Sequence, residues 1–348
     1  MQLSHLLSLS FLLMLVDGQL NTLAKKAGLK YFGSASDIVD VEALDERYAS
    51  ILSDRREFGA LTPANGMKWF AIEPSPGVFN FSYGDVVADY AARNKQYLRC
   101  HTLVWHSQLA PWVENTNWTK QTLTAVIIRH ITHTVTHYKN RCYAWDVVNE
   151  ALNEDGTFRN STFYNILGSS FLSLAFHTAH AADPKAKLYY NDYNLESPSP
   201  KSHAVINKIV KPLLREGVPI HGVGMQAHLK GYERPSRGEM VDVMRAYGRL
   251  GVEVGVTELD VRILLPSSPQ KMAEQSAAYA DITSACVEVE ACIGITVWDF
   301  WDPVSWVPSV FPGEGDATLY YANFTRHPAY SGVIQALKTG GGSKPLES

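Results

Sequence analysis

Short apolar runs alternate with longer amphipathic stretches from about residue 30 to about residue 297. The strand candidates are residues 30–34, 60–62, 97–104, 143–149, 187–191, 222–227, 253–257 and 294–297. Helical candidates between them include residues 41–58, 123–138, 164–182, 200–216, 237–250 and 269–287. A strand that runs parallel to its predecessor needs a crossover, usually a helix, so the alternation implies a parallel sheet. Eight such repeats close a sheet into a barrel. The other fold compatible with the pattern is an open doubly wound sheet. That fold ordinarily carries a glycine-rich phosphate loop after its first strand, and residues 33–37 (GSASD) contain a single glycine. The expected fold is therefore α/β, a (β/α)8 TIM barrel forming one domain.

The 348 residues are 46% hydrophobic and 11% aromatic, which is too apolar for disorder and enough for a large core. Lys and Arg number 31 against 35 Asp and Glu, and no basic run exceeds the pairs Lys25-Lys26 and Arg55-Arg56. A nucleic-acid binder needs a clustered patch of positive charge, so no nucleic-acid partner is expected. No linker-like composition occurs before residues 339–345 (TGGGSKP). The expected organisation is a signal peptide over residues 1–18, a catalytic barrel over 19–338 and a disordered tail over 339–348.

The signal-peptide expectation rests on the apolar run 6–16 (LLSLSFLLMLV), followed by Asp17, Gly18 and Gln19. The run is shorter than the roughly 18–20 apolar residues needed to span a bilayer, so no membrane anchor is expected and cleavage is placed near Gly18 or Gln19. Secretion agrees with four Asn-x-Ser/Thr triplets, at Asn80, Asn117, Asn160 and Asn323. The four cysteines, at 100, 142, 286 and 292, form no Cys-x-x-Cys pair. They are compatible with two disulfides in any of three connectivities, or with four buried thiols.

In a barrel of this kind the active site lies at the C-terminal ends of the strands. Two candidate strands run into glutamates there. Residues 145–150 (WDVVNE) lead from the fourth strand to Glu150, and residues 256–260 (VTELD) lead from the seventh to Glu258. Strands four and seven sit on opposite sides of the mouth, so the two side chains can face each other across it. Paired carboxyls facing across a sugar-sized gap are what glycoside hydrolysis requires. One protonates the leaving oxygen and the other supports the anomeric carbon.

Seven segments together carry a family resemblance: residues 61–69 (LTPANGMKW), 100–108 (CHTLVWHSQ), 145–150, 190–193 (YNDY), 224–228 (GMQAH), 257–260 (TELD) and 295–298 (ITVW). Over residues 27–336 the chain resembles the retaining endo-β-1,4-xylanases of glycoside hydrolase family 10, fungal ones especially. The resemblance implies that Glu150 is the general acid/base and Glu258 the nucleophile, with His228 and Asp260 orienting the nucleophile and Asn149 bonding a sugar 2-hydroxyl. It assigns substrate contacts to Asn65, Lys68, His101, Gln108, Tyr193 and Gln226, and aromatic walls to Trp105, Trp298 and Trp306. It also implies a Cys286–Cys292 bridge and, as in some relatives, a Cys100–Cys142 bridge. The implied substrates are xylan and xylo-oligosaccharides, cut by a secreted monomer without cofactor or metal.

The chain departs from the family pattern at two places. Ala64 stands where many members carry a glutamate that reaches a distal sugar. After Trp298, where a glycine is usual, comes Asp299-Phe300-Trp301, which adds bulk beside the sugar wall. His133 and His137 have the i, i+4 spacing of a zinc helix, but Thr134 occupies the place of the catalytic glutamate, and with His130 they read as packing or surface residues. Two competing functions remain. One is a glycosidase of the same chemistry with mixed xylan and cello-oligosaccharide or chain-end specificity. The other is a barrel that binds sugar without hydrolysing it, and the presence of both carboxyls disfavours that.

Overall fold

The computed structural model describes residues 19–340. Eight parallel strands form its barrel: β1 (Tyr31–Ser36), β2 (Ala60–Pro63), β3 (Tyr97–Trp105), β4 (Cys142–Asn149), β5 (Lys187–Asp192), β6 (Gly222–Met225), β7 (Glu253–Leu264) and β8 (Cys292–Val297). Each pairs with the next in sequence, and β1 pairs with β8 through Tyr31–Gly294 to Ser34–Val297, which closes the cylinder. Every residue of β1 and β2 is buried, as expected of strands covered by side chains within and helices without. The barrel forecast from the alternation is the observed fold.

Glycines on the strands admit large neighbours. A Cβ on Gly222 would lie 2.3 Å from the Tyr189 ring, and one on Gly224 would lie 2.1 Å from the Asn191 amide oxygen. The second contact matters for function, because Asn191 reaches the mouth.

Several element boundaries differ from those read in the sequence. The stretch 41–58 is broken into helices Asp40–Leu44 and Glu46–Ser53, because Asp45 turns extended and caps the second through the Arg47 and Tyr48 N–H groups. The stretch 164–182 breaks at Gly168, whose φ is +61°. In the stretch 200–216, a π-helical segment (Val205–Val210) precedes Pro212, which has no N–H to give to the preceding turn. β7 continues well past residue 257 to Leu264, pairing with the short strands His228–Lys230 and Glu314–Gly315.

The first described helix (Leu20–Lys26) packs on the last one (Pro328–Thr339). Glu57 ties this end together, accepting hydrogen bonds from the Tyr320 hydroxyl at 2.7 Å and the Tyr330 hydroxyl at 2.9 Å. That last helix reaches Thr339, one residue into the stretch expected to be tail. Residues 1–18, expected to be a signal peptide, and residues 341–348 of the expected tail lie outside the described residues.

Cys100 is joined to Cys142 and Cys286 to Cys292. Asn80, Asn117, Asn160 and Asn323 are all exposed. Among the described residues no helix is long and apolar enough to cross a membrane. The three helical histidines pack on aromatic rings: His130 on Trp69, His133 on Phe79 and His137 on Phe81. His130 is additionally bound to the buried carboxylate of Glu73 at 3.0 Å.

Candidate active site

At the C-terminal rim the strands lose their regularity. The β3–β4 ladder slips between His101 and Val104, the β4–β5 ladder between Asp146 and Val148, and the β7–β8 ladder between Val256 and Leu259. Bulges of this kind re-aim side chains beside active sites. Four non-glycine residues around one cleft have positive φ: Gln108 (47°), Glu150 (56°), Asn194 (55°) and Asp299 (61°). Such conformations persist only where surrounding contacts enforce them. At Glu150 the N–H donates to the Asn191 carbonyl at 2.9 Å and the carbonyl accepts from Arg159 Nε at 3.1 Å.

The cleft has a volume of about 770 Å³, within the usual range for ligand sites. All the sequence-derived binding and catalytic candidates line it except Asp260, which is fully buried behind His228.

Glu150 and Glu258 are linked by amides. Gln226 Nε2 donates to Glu150 Oε1 at 3.0 Å and to Asn149 Oδ1 at 3.2 Å. Asn191 Nδ2 donates to the same Asn149 oxygen at 2.8 Å and to Glu258 Oε1 at 2.7 Å. Thr257 Oγ1 holds Asn191 from behind, donating to its Oδ1 at 2.6 Å. The two carboxyls thus share one hydrogen-bond network across the mouth.

Glu258 has a second partner. His228 contacts Glu258 Oε2 through Nε2 at 3.2 Å and Asp260 Oδ2 through Nδ1 at 2.9 Å, while Trp306 Nε1 donates to that same Asp260 oxygen at 2.7 Å. Burial alone disfavours the imidazolium, but the two carboxylates outweigh it and push His228 up to about 10. It therefore stands as a cation between two acids at neutral pH. Burial pushes Glu258 upward, yet attraction to His101 and the bond from His228 outweigh that and leave its carboxyl below the usual range.

His101 is itself anchored. Its Nδ1 lies 2.9 Å from Asp146 Oδ2, and Asp146 is bound by Arg99 through two hydrogen bonds, all three side chains being almost fully buried. On the other side His106 Nδ1 lies 3.9 Å from Glu150 Oε2. Burial first, then Arg159 and Lys201, lower His106 to about 4, so it is a neutral imidazole beside the acid.

The remaining candidates divide between two ends of the cleft. At one end Lys68 Nζ donates to Asn65 Oδ1 at 2.9 Å and Gln108 Oε1 at 2.6 Å and lies 5.2 Å from the Trp105 ring centre. Asp37 holds the Asn65 amide at 2.8 Å. Near the same region Trp298 stands edge-on to His101, with ring centres 5.4 Å apart. At the other end the Tyr193 hydroxyl accepts from Arg159 at 2.8 Å, and Lys201 Nζ sits 3.5 Å from the Tyr193 ring centre.

The family model for glycosyl hydrolase family 10 matches residues 19–336 of this chain. The chain belongs to glycosyl hydrolase family 10. It is 53% identical over 327 residues to endo-1,4-beta-xylanase A of Humicola insolens, covering 92% of this chain and 87% of that protein. Among solved structures it is similar to a Penicillium canescens endo-1,4-beta-xylanase, with 41% identity and a TM-score of 0.89 over 92% of this chain and 98% of that one. A Bispora family 10 xylanase solved with xylobiose matches equally, with 41% identity and a TM-score of 0.89 over 91% and 99% of the two chains.

For this family 10 hydrolase, reading the sequence missed several residues of the site. Asn191 is the last residue but one of β5, and the same strand-end rule that found Glu150 applies to it. His106 and Arg159 lie on loops and carry no periodic signal. The Arg99–Asp146 pair is hidden in otherwise apolar strands. The bulk expected beside the sugar wall is narrower than the sequence suggested. Phe300 turns into the core, where it stacks on Tyr48 with ring centres 4.6 Å apart, and Trp301 stacks on Phe324. Of that triplet only Asp299 lines the cleft.

Proposed function

We propose that this hydrolase is a secreted, monomeric, retaining endo-1,4-β-xylanase that cuts internal bonds of xylan and binds xylo-oligosaccharides. The observation that carries the proposal is the single hydrogen-bond network joining Glu150 to Glu258 through Gln226, Asn149 and Asn191. Retention requires the two carboxyls to be about 5–5.5 Å apart, so that the second can attack carbon directly.

In the first step Glu258 attacks the anomeric carbon while Glu150 donates its proton to the departing glycosidic oxygen. The C–O bond to the leaving sugar breaks and an ester to Glu258 forms. In the second step water attacks that carbon from the vacated side. Glu150 takes the water proton and the Glu258 carboxylate is released, so the configuration is inverted twice and preserved overall. His228 and Asn191 hold the two oxygens of Glu258, which keeps it ionised and aimed. Asn149 faces the sugar beside the nucleophile, where a bond to the 2-hydroxyl strengthens in the oxocarbenium-like transition state. The tryptophans offer flat apolar surface to the sugar faces.

Specificity for xylan is supported by the relatives, which are endo-1,4-beta-xylanases, one of them solved with xylobiose. Secretion is supported by the two disulfides, the four exposed Asn-x-Ser/Thr asparagines and the apolar run 6–16. The test is the product profile on arabinoxylan beside carboxymethylcellulose for wild type and Glu258→Ala. Short xylo-oligosaccharides of mixed length, absent with the variant, are the expected result. Xylobiose or xylose alone from the start indicates chain-end action, and no release by wild type contradicts hydrolysis.

A further inference from the structure

Asp299 follows β8 at the rim and lines the cleft, yet the mechanism above gives it no task. Its side chain is only 6% exposed, and its Oδ1 is enclosed without a hydrogen-bond partner. No described residue forms an ion pair with it. Its φ of +61° places a side chain where glycine is the easier occupant. An enclosed, unpaired carboxyl in strained backbone weakens a fold, and native chains seldom retain one without use.

Its surroundings say which part of a substrate it faces. The charged groups that act on it most are the carboxylates of Glu42, Asp37 and Asp260, together with Lys68. Lys68 belongs to the chain Asp37–Asn65–Lys68–Gln108 at one end of the cleft. Trp298, the residue before Asp299, packs against Ala64, and Asn65 of that chain follows Ala64, so Asp299 stands at the same end of the cleft. Ala64 lines the same cleft and offers only a methyl group there. Burial, then Glu42 and Asp37, hold the Asp299 carboxyl well above the usual carboxylate range, so it has a proton to donate.

We propose that Asp299 is a specificity-determining residue that hydrogen-bonds a hydroxyl of the second sugar on the glycone side, supplying from β8 the carboxyl that Ala64 leaves out of β2. The inference rests on the glycoside-hydrolase reading of the cleft. Its test compares an aryl β-xyloside, with one glycone sugar, and the matching aryl β-xylobioside, with two, in wild type, Asp299→Gly and Asp299→Asn. The readout is the ratio of kcat/KM for xylobioside to that for xyloside. Losing one hydrogen bond should lower the ratio about tenfold in Asp299→Gly. In Asp299→Asn, which can still donate and accept, the ratio should stay within about twofold of wild type. Thermal midpoints of both variants report folding. An unmoved ratio in Asp299→Gly, with or without a lowered midpoint, overturns the assignment, and so does an equal fall in Asp299→Asn. Wild type that cleaves neither glycoside overturns the hydrolase reading as well, whereas cleavage of both with an unmoved ratio removes only the role of Asp299.

Discussion

Replacing His228 by Gln removes the cation between Glu258 and Asp260 while keeping a side chain able to hydrogen-bond. In the wild type that imidazolium contacts Glu258 Oε2 at 3.2 Å and Asp260 Oδ2 at 2.9 Å, both contacts being partly buried. A hydrogen bond to a charged group contributes about 1.5–3 kcal/mol. One pKa unit is about 1.36 kcal/mol, so the ionised form of Glu258 should be disfavoured by about one to two units. Glu258 must be ionised to attack, and its carboxyl lies below the usual range in the wild type. Loss of the cation raises it, so the acidic limb of kcat/KM moves to higher pH. The assay is kcat/KM for an aryl β-xylobioside across the pH range in wild type and His228→Gln, with thermal midpoints to confirm folding. The expected outcome is an acidic limb displaced upward by about one to two pH units. A folded variant whose limb does not move would refute the claim that His228 keeps the nucleophile charged.

Other outcomes follow from the same geometry. Glu150→Ala should slow xylan hydrolysis by about 10²–10⁴-fold but an aryl glycoside with an acidic leaving group far less, since such a group departs without protonation; equal losses on both substrates would contradict its role as acid. Asn149→Ala should lower kcat more than it raises KM, because the bond it offers the sugar tightens in the transition state, and a change in KM alone would show uniform binding instead. Replacing both cysteines of the Cys100–Cys142 pair, 42 residues apart, should destabilise the fold more than replacing the Cys286–Cys292 pair, 6 apart. The loop-entropy costs are about 4 and about 2 kcal/mol, and denaturant midpoints in the opposite order would contradict this.

The barrel was legible because eight apolar runs, separated by helix-length amphipathic stretches, leave few other closed arrangements. Glu150 and Glu258 were legible because polar residues that finish buried strands have one place to go in such a fold. What escaped notice has physical causes. Asp45 acts as a cap in the middle of an otherwise helical pattern, and hydrophobic periodicity does not register capping. The extension of β7 to Leu264 depends on partners drawn from distant loops, His228–Lys230 and Glu314–Gly315, which no local pattern announces. Arg99 and Asp146 look unsuited to buried strands until each is seen neutralising the other, with bonds of 2.5 and 2.6 Å. The triplet Asp299-Phe300-Trp301 after Trp298 suggests added bulk beside the sugar wall, whereas Asp299 has a positive φ and Phe300 packs in the core.

The chemistry assigned to Glu150 and Glu258 leaves its mark on the first product formed. Proton NMR of xylo-oligosaccharide hydrolysis, recorded before mutarotation scrambles the new reducing end, reads that mark directly. The β-anomer should accumulate first and relax slowly toward the equilibrium mixture. Initial appearance of the α-anomer would mean a single displacement by water, and Glu258 would not be the group that attacks carbon.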